Sequence, residues 1–464
     1  MIQTASDTSL ANQLQTMRNY FKTGVTKEYV FRKKQLLSLK RSVLNHEEDL
    51  YNALYTDLKK NKEETWVTEI GFLIAEITAA LKNLRSWMQP KKASTNLLNM
   101  PSSSFVITEP LGVVLIIGPW NYPLQLLFTP LAGAIAAGNC IVLKPSEFAP
   151  ATSGVMKKII EDAFKKEYIF YVEGEGQIVI PEMMHSFAFD HVFYTGSTAT
   201  GRIIYKMAAE NLVPVTLELG GKSPCVVESD ANITVAAKRI AMAKFSNAGQ
   251  MCVAPDYILV HESIKDHFIK ALTSAIERFF SKDAANNYQY GKIINEKQFD
   301  RLLKYLNEGE IIFGGSHNRE KLFIGPTILA NVPLSDDVMN EEIFGPILPI
   351  IIYNTNEEVK AIIEQNPNPL AFYVYTSSKK KEKYWLQNIS FGGGCVNNSS
   401  WHLTNHHLPF GGRGSSGTGK YHGKYSFETF SHQKAIMKTP TWFDPALRYP
   451  PLNGKLKIYK RIIR

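Results

Sequence analysis

The sequence predicts an α/β fold: two wound parallel-sheet domains joined to a small β bridging arm. Three observations carry this. Short aliphatic runs ending in Gly, Pro or Asn alternate with helix-period segments from Leu111 onward, the pattern of parallel strands whose crossover helices cover both faces of a sheet. The runs fall into two successive series. A length of 464 residues also exceeds what one hydrophobic core usually organises.

Taken in order, the chain opens with a helical lead-in from Leu10 to about Met88. There FRKKQLLSLKRSVLNHEEDLYNALYTDLKK places apolar residues at i, i+3, i+4 and i+7 with charges between. The segment PKKASTNLLNMPSSSFVITEP is rich in Pro and Ser, holds one strand-like run from Ser104 to Thr108, and reads as an arm leaving the body. The first strand series is GVVLIIG, CIVLKPS, HVFYTGS, VTLELGG and PCVVES. A second follows with YILVHE, IIFGG, ILPIIIYN, AFYVYT and CVNN, and HQKAIMKT is a late strand-like run. Domain limits are drawn accordingly: 1–89 with 111–217, then 218–427, an arm of 90–110 with 428–441, and a basic tail at 442–464.

Composition excludes several classes. Hydrophobic residues at 44% and charged residues at 20% are those of a globular chain, not of a disordered or collagenous one. Four cysteines, Cys140, Cys225, Cys252 and Cys395, stand far apart without metal or redox spacing, and the polar start MIQTASDTSLANQLQ lacks the apolar core of a signal peptide. A reducing, cytoplasmic location is expected. The apolar stretch from Leu111 to Val142 is interrupted by GPWNYP and AGN, so no membrane span is expected. A net charge of +9 spreads over helical Lys and Arg and the tail KLKIYKRIIR, without the aromatic and basic interleaving of a nucleic-acid module. Leu456, Ile458, Tyr459, Ile462 and Ile463 leave the tail at most a peripheral membrane contact.

Candidate chemistry sits in loops at strand ends. Cys252 in FSNAGQMCVAPD lies in a loop of small and polar residues, where a thiol can reach a substrate; burial as an inert cysteine is the competing account. Glu218 ends an apolar run before Gly220 and Gly221, where partial desolvation raises a carboxyl toward the range of a general base. Asn121 in IIGPWNYPLQ offers neutral N–H donors suited to an oxyanion, although N-Y-P also reads as a turn. In FYTGSTATG, Gly196 and Gly201 resemble a phosphate turn opening a helix, without the full G-x-G-x-x-G spacing. Lys144 and Glu147 in VLKPSE suit either ribose hydroxyls or a mutual salt bridge. His402, His406 and His407 lack acidic partners at ligand spacing, so no metal is assigned.

Together, GPWNYP, AGNCIVLKPSE, FYTGST, LELGGKSP, GQMC, EEIFGP and PFGG occur in one order along the chain. In that order they resemble the aldehyde dehydrogenase superfamily. GQMCVAPDYILVH, LPFGGRGSSG, YHGKYSFETFSH and the tail RYPPLNGKLKIYKR resemble its short, class 3 branch, which includes fatty and aromatic aldehyde dehydrogenases. The resemblance implies a Rossmann-like cofactor domain, a catalytic domain and oxidation of aldehydes to carboxylic acids. Cys252 is then the nucleophile, Asn121 and the Cys252 N–H the oxyanion donors, and Glu218 the base that hydrolyses the thioester, with Glu342 as the alternative base. It further implies that Lys144 and Glu147 contact the adenosine ribose, Gly196 and Ser197 the pyrophosphate, and Glu342 and Phe344 the nicotinamide ribose and ring. NAD is the expected cofactor, with NADP admitted by Lys144. Tyr122, Phe410 and His422 are expected to line an aromatic-rimmed entrance for medium, long or aromatic aldehydes, and the arm implies a homodimer.

The sequence departs from the pattern at Met251, where Thr is usual, at Arg413, where a small or apolar residue is usual, and from Glu173 to Gly176. Coenzyme A-linked or acyl-reducing relatives typically lack the base that Glu218 supplies. A catalytically silent protein of the same fold does not explain Cys252, Glu218 and Asn121 together.

Overall fold

The computed structural model describes residues 5–463, and side chains from residue 10. Two wound sheets form its centre. The first has six strands in the order Gly417–Thr418, Val215–Glu218, His191–Thr195, Val113–Ile117, Cys140–Lys144 and Ile169–Tyr171, all parallel but the first. The second has seven, in the order Glu310–Phe313, Thr327–Ala330, Ile347–Tyr353, Tyr257–His261, Pro224–Val227, Ala371–Tyr375 and Gly393–Val396, with only the Glu310–Phe313 edge antiparallel.

Val113–Ile117 and Cys140–Lys144 are buried throughout because layers cover both faces, which is why they read as unbroken aliphatic runs. The helix Pro123–Ala137 is buried along its whole length. Pro123 starts it where a missing N–H costs nothing, and Gly138 at φ 93° ends it. A Cβ at Gly138 would lie 2.6 Å from the Arg32 guanidinium, which donates to the Ala136 carbonyl, so this helix end admits only glycine. The lead-in forms the helices Ala5–Lys22, Tyr29–Asn45, Glu47–Leu58, Lys62–Thr65 and Gly71–Met88, with a π-helical turn at Trp66–Ile70.

Six short strands, Lys91–Ala93, Ile169–Tyr171, His317–Asn318, Phe323–Ile324, Thr327–Ala330 and Gly417–Thr418, are not visible in the sequence, being too short for period-2 alternation to register. The boundary drawn after residue 217 also differs from the sheets. Glu218 is the last residue of a first-sheet strand, and Gly417–Thr418 returns to that sheet from the far side of the second domain, pairing with Leu217 and Glu218. The arm is a three-stranded antiparallel sheet of Lys91–Ala93, Ser103–Pro110 and Ser431–Lys438, the last two in register from Ser103 opposite Lys438 to Pro110 opposite Ser431. Beyond it the tail carries an exposed helix, Leu456–Ile462; Arg464 and the first four residues of the sequence lie outside the described residues. Among the described residues no helix is long and apolar enough to cross a membrane.

Candidate active site

Cys252 follows the helix Ile233–Phe245 and an irregular turn, Ser246–Gly249, in which Asn247 and Ala248 hold φ of 50° and 49°. Non-glycine residues rarely occupy that region, so the surroundings must over-determine it. They do. The Asn247 side chain donates to the Asn121 carbonyl at 2.9 Å, its backbone N–H donates to Glu64 at 2.9 Å, and Gln250 is bonded to Lys292 and Ile294 across the chain. Cys252 therefore sits, half-buried, on a rigid loop. Burial, then the nearby Glu342 and Glu218, push its thiol up to about 12, so the resting side chain is a protonated thiol.

Glu218 ends the strand Val215–Glu218 with 3% of its surface exposed, and neither carboxyl oxygen has a hydrogen-bond partner. Desolvation lifts its pKa well above the ordinary value. Asn121 is equally buried, and one amide hydrogen donates to the Gln250 carbonyl at 3.0 Å.

These three side chains line one cavity of about 250 Å³ with Gly196, Ser197, Glu342 and Phe344. A second cavity of about 160 Å³ is walled by Val67, Phe72, Tyr122, Met242, Met251, Trp401, Leu403 and His422. Leu126, Cys252, Phe410 and Tyr421 belong to both, which puts the Cys252 thiol at their junction. Phe410 and Tyr421 face each other through paired backbone hydrogen bonds of 3.1 and 2.8 Å.

The first cavity has the features of a dinucleotide site. The helix Thr198–Glu210 starts beside it, capped by the Ser197 hydroxyl accepting from the Thr200 N–H, so free N–H groups and the positive helix end face the space. Thr195 Oγ1 and Glu342 Oε1 are buried without partners, as groups awaiting ribose or amide atoms would be. A Cβ at Gly220 would overlap the Glu342 carboxyl at 1.8 Å. Burial, then Asp256, raises Glu342 to about 8. Its segment is clamped: Lys222 donates to the Glu341 carbonyl at 2.9 Å and to Asp256 at 2.5 Å, Asp256 accepts from the Ile343 N–H, and Arg301 donates to the Ile343 carbonyl at 2.7 Å. That clamp holds Phe344 at φ 48°, its ring edge-on to Trp120.

Lys144 and Glu147 are at neither cavity. They pair at 2.9 Å, and Glu147 also accepts from the Gly176 N–H at 2.9 Å, closing the first turn of the helix Gly176–Ser186. Burial pushes the Glu147 carboxyl up, but Gly176 and Lys144 outweigh it and the net shift is downward. Gly176, the last residue of the segment that departs from the pattern, is thus anchored on Glu147. His422 lines the second cavity with its Nδ1 3.0 Å from Glu76, whose other oxygen accepts from the Gly423 N–H. His402 lies 3.7 Å from the Cys395 sulfur, and among the described residues no group of three or more His, Cys, Asp or Glu could hold a metal ion.

Tyr421, Leu126, Gln298 and Arg301 were not foreseen. Tyr421 lies within the distinctive YHGKYSFETFSH run, but Arg301 comes from the helix Glu296–Tyr305, which carries no motif.

The Aldehyde dehydrogenase family profile matches residues 2–436. The chain belongs to the aldehyde dehydrogenase family. Among aldehyde dehydrogenases it is 46% identical over 447 residues to the 4,4'-diaponeurosporen-aldehyde dehydrogenase of Staphylococcus aureus (strain NCTC 8325 / PS 47), covering 96% of this chain and 97% of the relative. It is 44% identical to the aldehyde dehydrogenase family 3 member H1 of Arabidopsis thaliana, over 98% of this chain and 94% of that one, in keeping with the class 3 resemblance. Of solved aldehyde dehydrogenases, the substrate-bound state of Staphylococcus aureus AldH superposes with a TM-score of 0.94 at 45% identity, covering 98% of this chain and 99% of that one. An NAD-dependent aldehyde dehydrogenase from Sinorhizobium meliloti superposes with a TM-score of 0.86 at 27% identity over 95% and 89% of the two chains. The expectation of an oxidoreductase acting on aldehydes holds, and a nicotinamide cofactor agrees with the solved relatives.

Proposed function

We propose that this aldehyde dehydrogenase oxidises medium-chain, long-chain or aromatic aldehydes to carboxylic acids, with Cys252 as nucleophile. The observation that carries the reading is the junction: a single thiol where an apolar cavity meets one suited to a dinucleotide. Cys252 Sγ attacks the aldehyde carbon as its proton passes to water in the same cavity. The oxygen of the resulting thiohemiacetal takes the second amide hydrogen of Asn121 and the Cys252 N–H. A bound nicotinamide supplies the hydride acceptor as the thiohemiacetal becomes a thioester. Glu218, once deprotonated, takes a proton from water as that water attacks the thioester, releasing the acid and the free thiol. Glu342 and Phe344 would hold the nicotinamide ribose and ring, and Gly196 and Ser197 the pyrophosphate.

NAD is the preferred cofactor. Lys144 and Glu147, outside the two cavities, are proposed to contact the adenosine ribose, where the Glu147 carboxylate, held by Lys144 and the Gly176 N–H, repels a 2′-phosphate. Tyr122, Phe410 and His422 belong to the wall that receives the substrate chain. The aldehyde in the name of the Staphylococcus relative is in keeping with an apolar substrate. Steady-state rates over straight-chain aldehydes with NAD and NADP test this: kcat/KM rises with length by about fourfold per methylene, from ~0.8 kcal/mol per buried CH₂, until the cavity is filled. A flat profile contradicts the substrate assignment.

The assembly proposed is a homodimer. Ser431–Lys438 has only one partner strand in the arm, and Leu97, Met100, Met437 and Trp442 are exposed around it, a free edge that a second copy can extend. Sedimentation is expected to give about twice the 52.2 kDa chain mass; a monomer counts against it. A cytoplasmic location is proposed, with exposed Leu456 and Ile463 beside Lys457 and Lys460 suited at most to a peripheral membrane contact.

A further inference from the structure

Behind the catalytic loop lies a buried cation that the reaction as written does not use. The Lys60 side chain is fully buried, and its ammonium donates to Glu69 at 2.7 Å and to the backbone carbonyl of Asn121 at 2.8 Å, while lying 3.7 Å from the centre of the Tyr122 ring. The second oxygen of Glu69 accepts from the Gln125 N–H at 2.9 Å. Glu69 belongs to the π-helical turn Trp66–Ile70, a geometry that concentrates at functional sites. Val67 and Thr68 of that turn line the apolar cavity, so one turn supplies both a wall and the partner of Lys60.

A buried ion pair is a poor device for stability, because desolvating two charges costs about as much as their attraction returns and apolar replacements often do better. Its placement points elsewhere. The Asn121 carbonyl takes two donors, Lys60 Nζ and Asn247 Nδ2, on one side of a residue whose own amide must face Cys252. A rotation of this peptide would move the Asn121 side chain away from the thiol and tilt Tyr122, the next residue, out of the apolar wall.

We propose that Lys60, held by Glu69, is a positioning residue for oxyanion stabilisation: it fixes the Asn121–Tyr122 peptide so that the Asn121 amide meets the oxygen formed on attack by Cys252. The inference rests on the assignment of Asn121 made above.

The test is a double-mutant cycle read in the first turnover. Lys60→Met keeps the volume of the stem and removes the ammonium. Its rate of reduced-cofactor formation in the first turnover is expected to fall by about 100-fold, the order of loss for a reacting group displaced by an ångström, with cofactor affinity unchanged. In an Asn121→Ala background the same substitution is expected to cost almost nothing further, whereas a purely structural role gives losses that multiply. Lys60→Met combined with Glu69→Gln, which removes the donor to the Asn121 carbonyl and leaves no buried unpaired charge, carries the same cycle if Lys60→Met alone does not accumulate as folded protein. First-turnover rates of the folded Lys60 variants equal to wild type, or multiplicative losses, overturn the proposal. Asn121→Ala at the wild-type rate overturns the oxyanion assignment and, with it, this inference; an impaired Asn121→Ala beside an unimpaired Lys60→Met overturns this inference alone.

Discussion

Cys252→Ala is expected to abolish aldehyde oxidation, with kcat lower by about 10⁴-fold or more, the scale on which removal of a covalent nucleophile is felt. The structure makes this a sharp expectation because the other cysteines are not at the cavities. Cys140 and Cys225 are fully buried within strands, and Cys395 sits beside His402. No second thiol lines either cavity among the described residues, so none can substitute. Cofactor binding is expected to survive, since Gly196, Ser197, Glu342 and Phe344 are untouched. Measured kcat together with a cofactor titration checks both halves, and turnover by Cys252→Ala near the wild-type rate removes the nucleophile assignment.

Glu218→Gln is expected to separate the two halves of the reaction. It leaves the attack by Cys252 intact, so rapid mixing gives one equivalent of reduced cofactor per site and then a stall as the thioester accumulates. Steady turnover falls by about 10²- to 10⁴-fold, the range of a general base. Mass spectrometry of the stalled protein is expected to show the acyl adduct on Cys252. The pH dependence follows in sign from the burial of Glu218. Its carboxyl is held protonated well above the ordinary value by desolvation, and only the carboxylate can take a proton from water. Thioester hydrolysis in the wild type therefore rises with pH through that elevated pKa, and Glu218→Gln flattens this limb. Multiple turnovers by Glu218→Gln at the wild-type rate would transfer the role to Glu342, itself raised to about 8.

Much of this site could be read from one chain because its parts lie at strand ends marked by Gly and Pro. Asn121 follows Gly118 and Pro119 after Val113–Ile117, and Glu218 precedes Gly220 and Gly221 after Val215–Glu218. Lys144 and Glu147 were legible as a pair but not as to its use. The structure shows their salt bridge and its tie to Gly176, a contact 29 residues away that no local pattern announces. Lys60 was invisible, since a lysine in an amphipathic lead-in reads as surface charge until its neighbours are known.

By itself, the sequence determined the layered α/β architecture, the longer strands in their order along the chain and the residue types proposed to react, because periodicity and turn residues are local properties. Only the tertiary structure decided that Asn121, Glu218 and Cys252 line one cavity, that a second cavity joins it at Cys252, and that burial raises the Glu218 carboxyl and the Cys252 thiol. The physical reason is that a pKa and a cavity are set by what surrounds a group in three dimensions. At Glu218 those surroundings come from segments as far along the chain as Phe410 and Gly411.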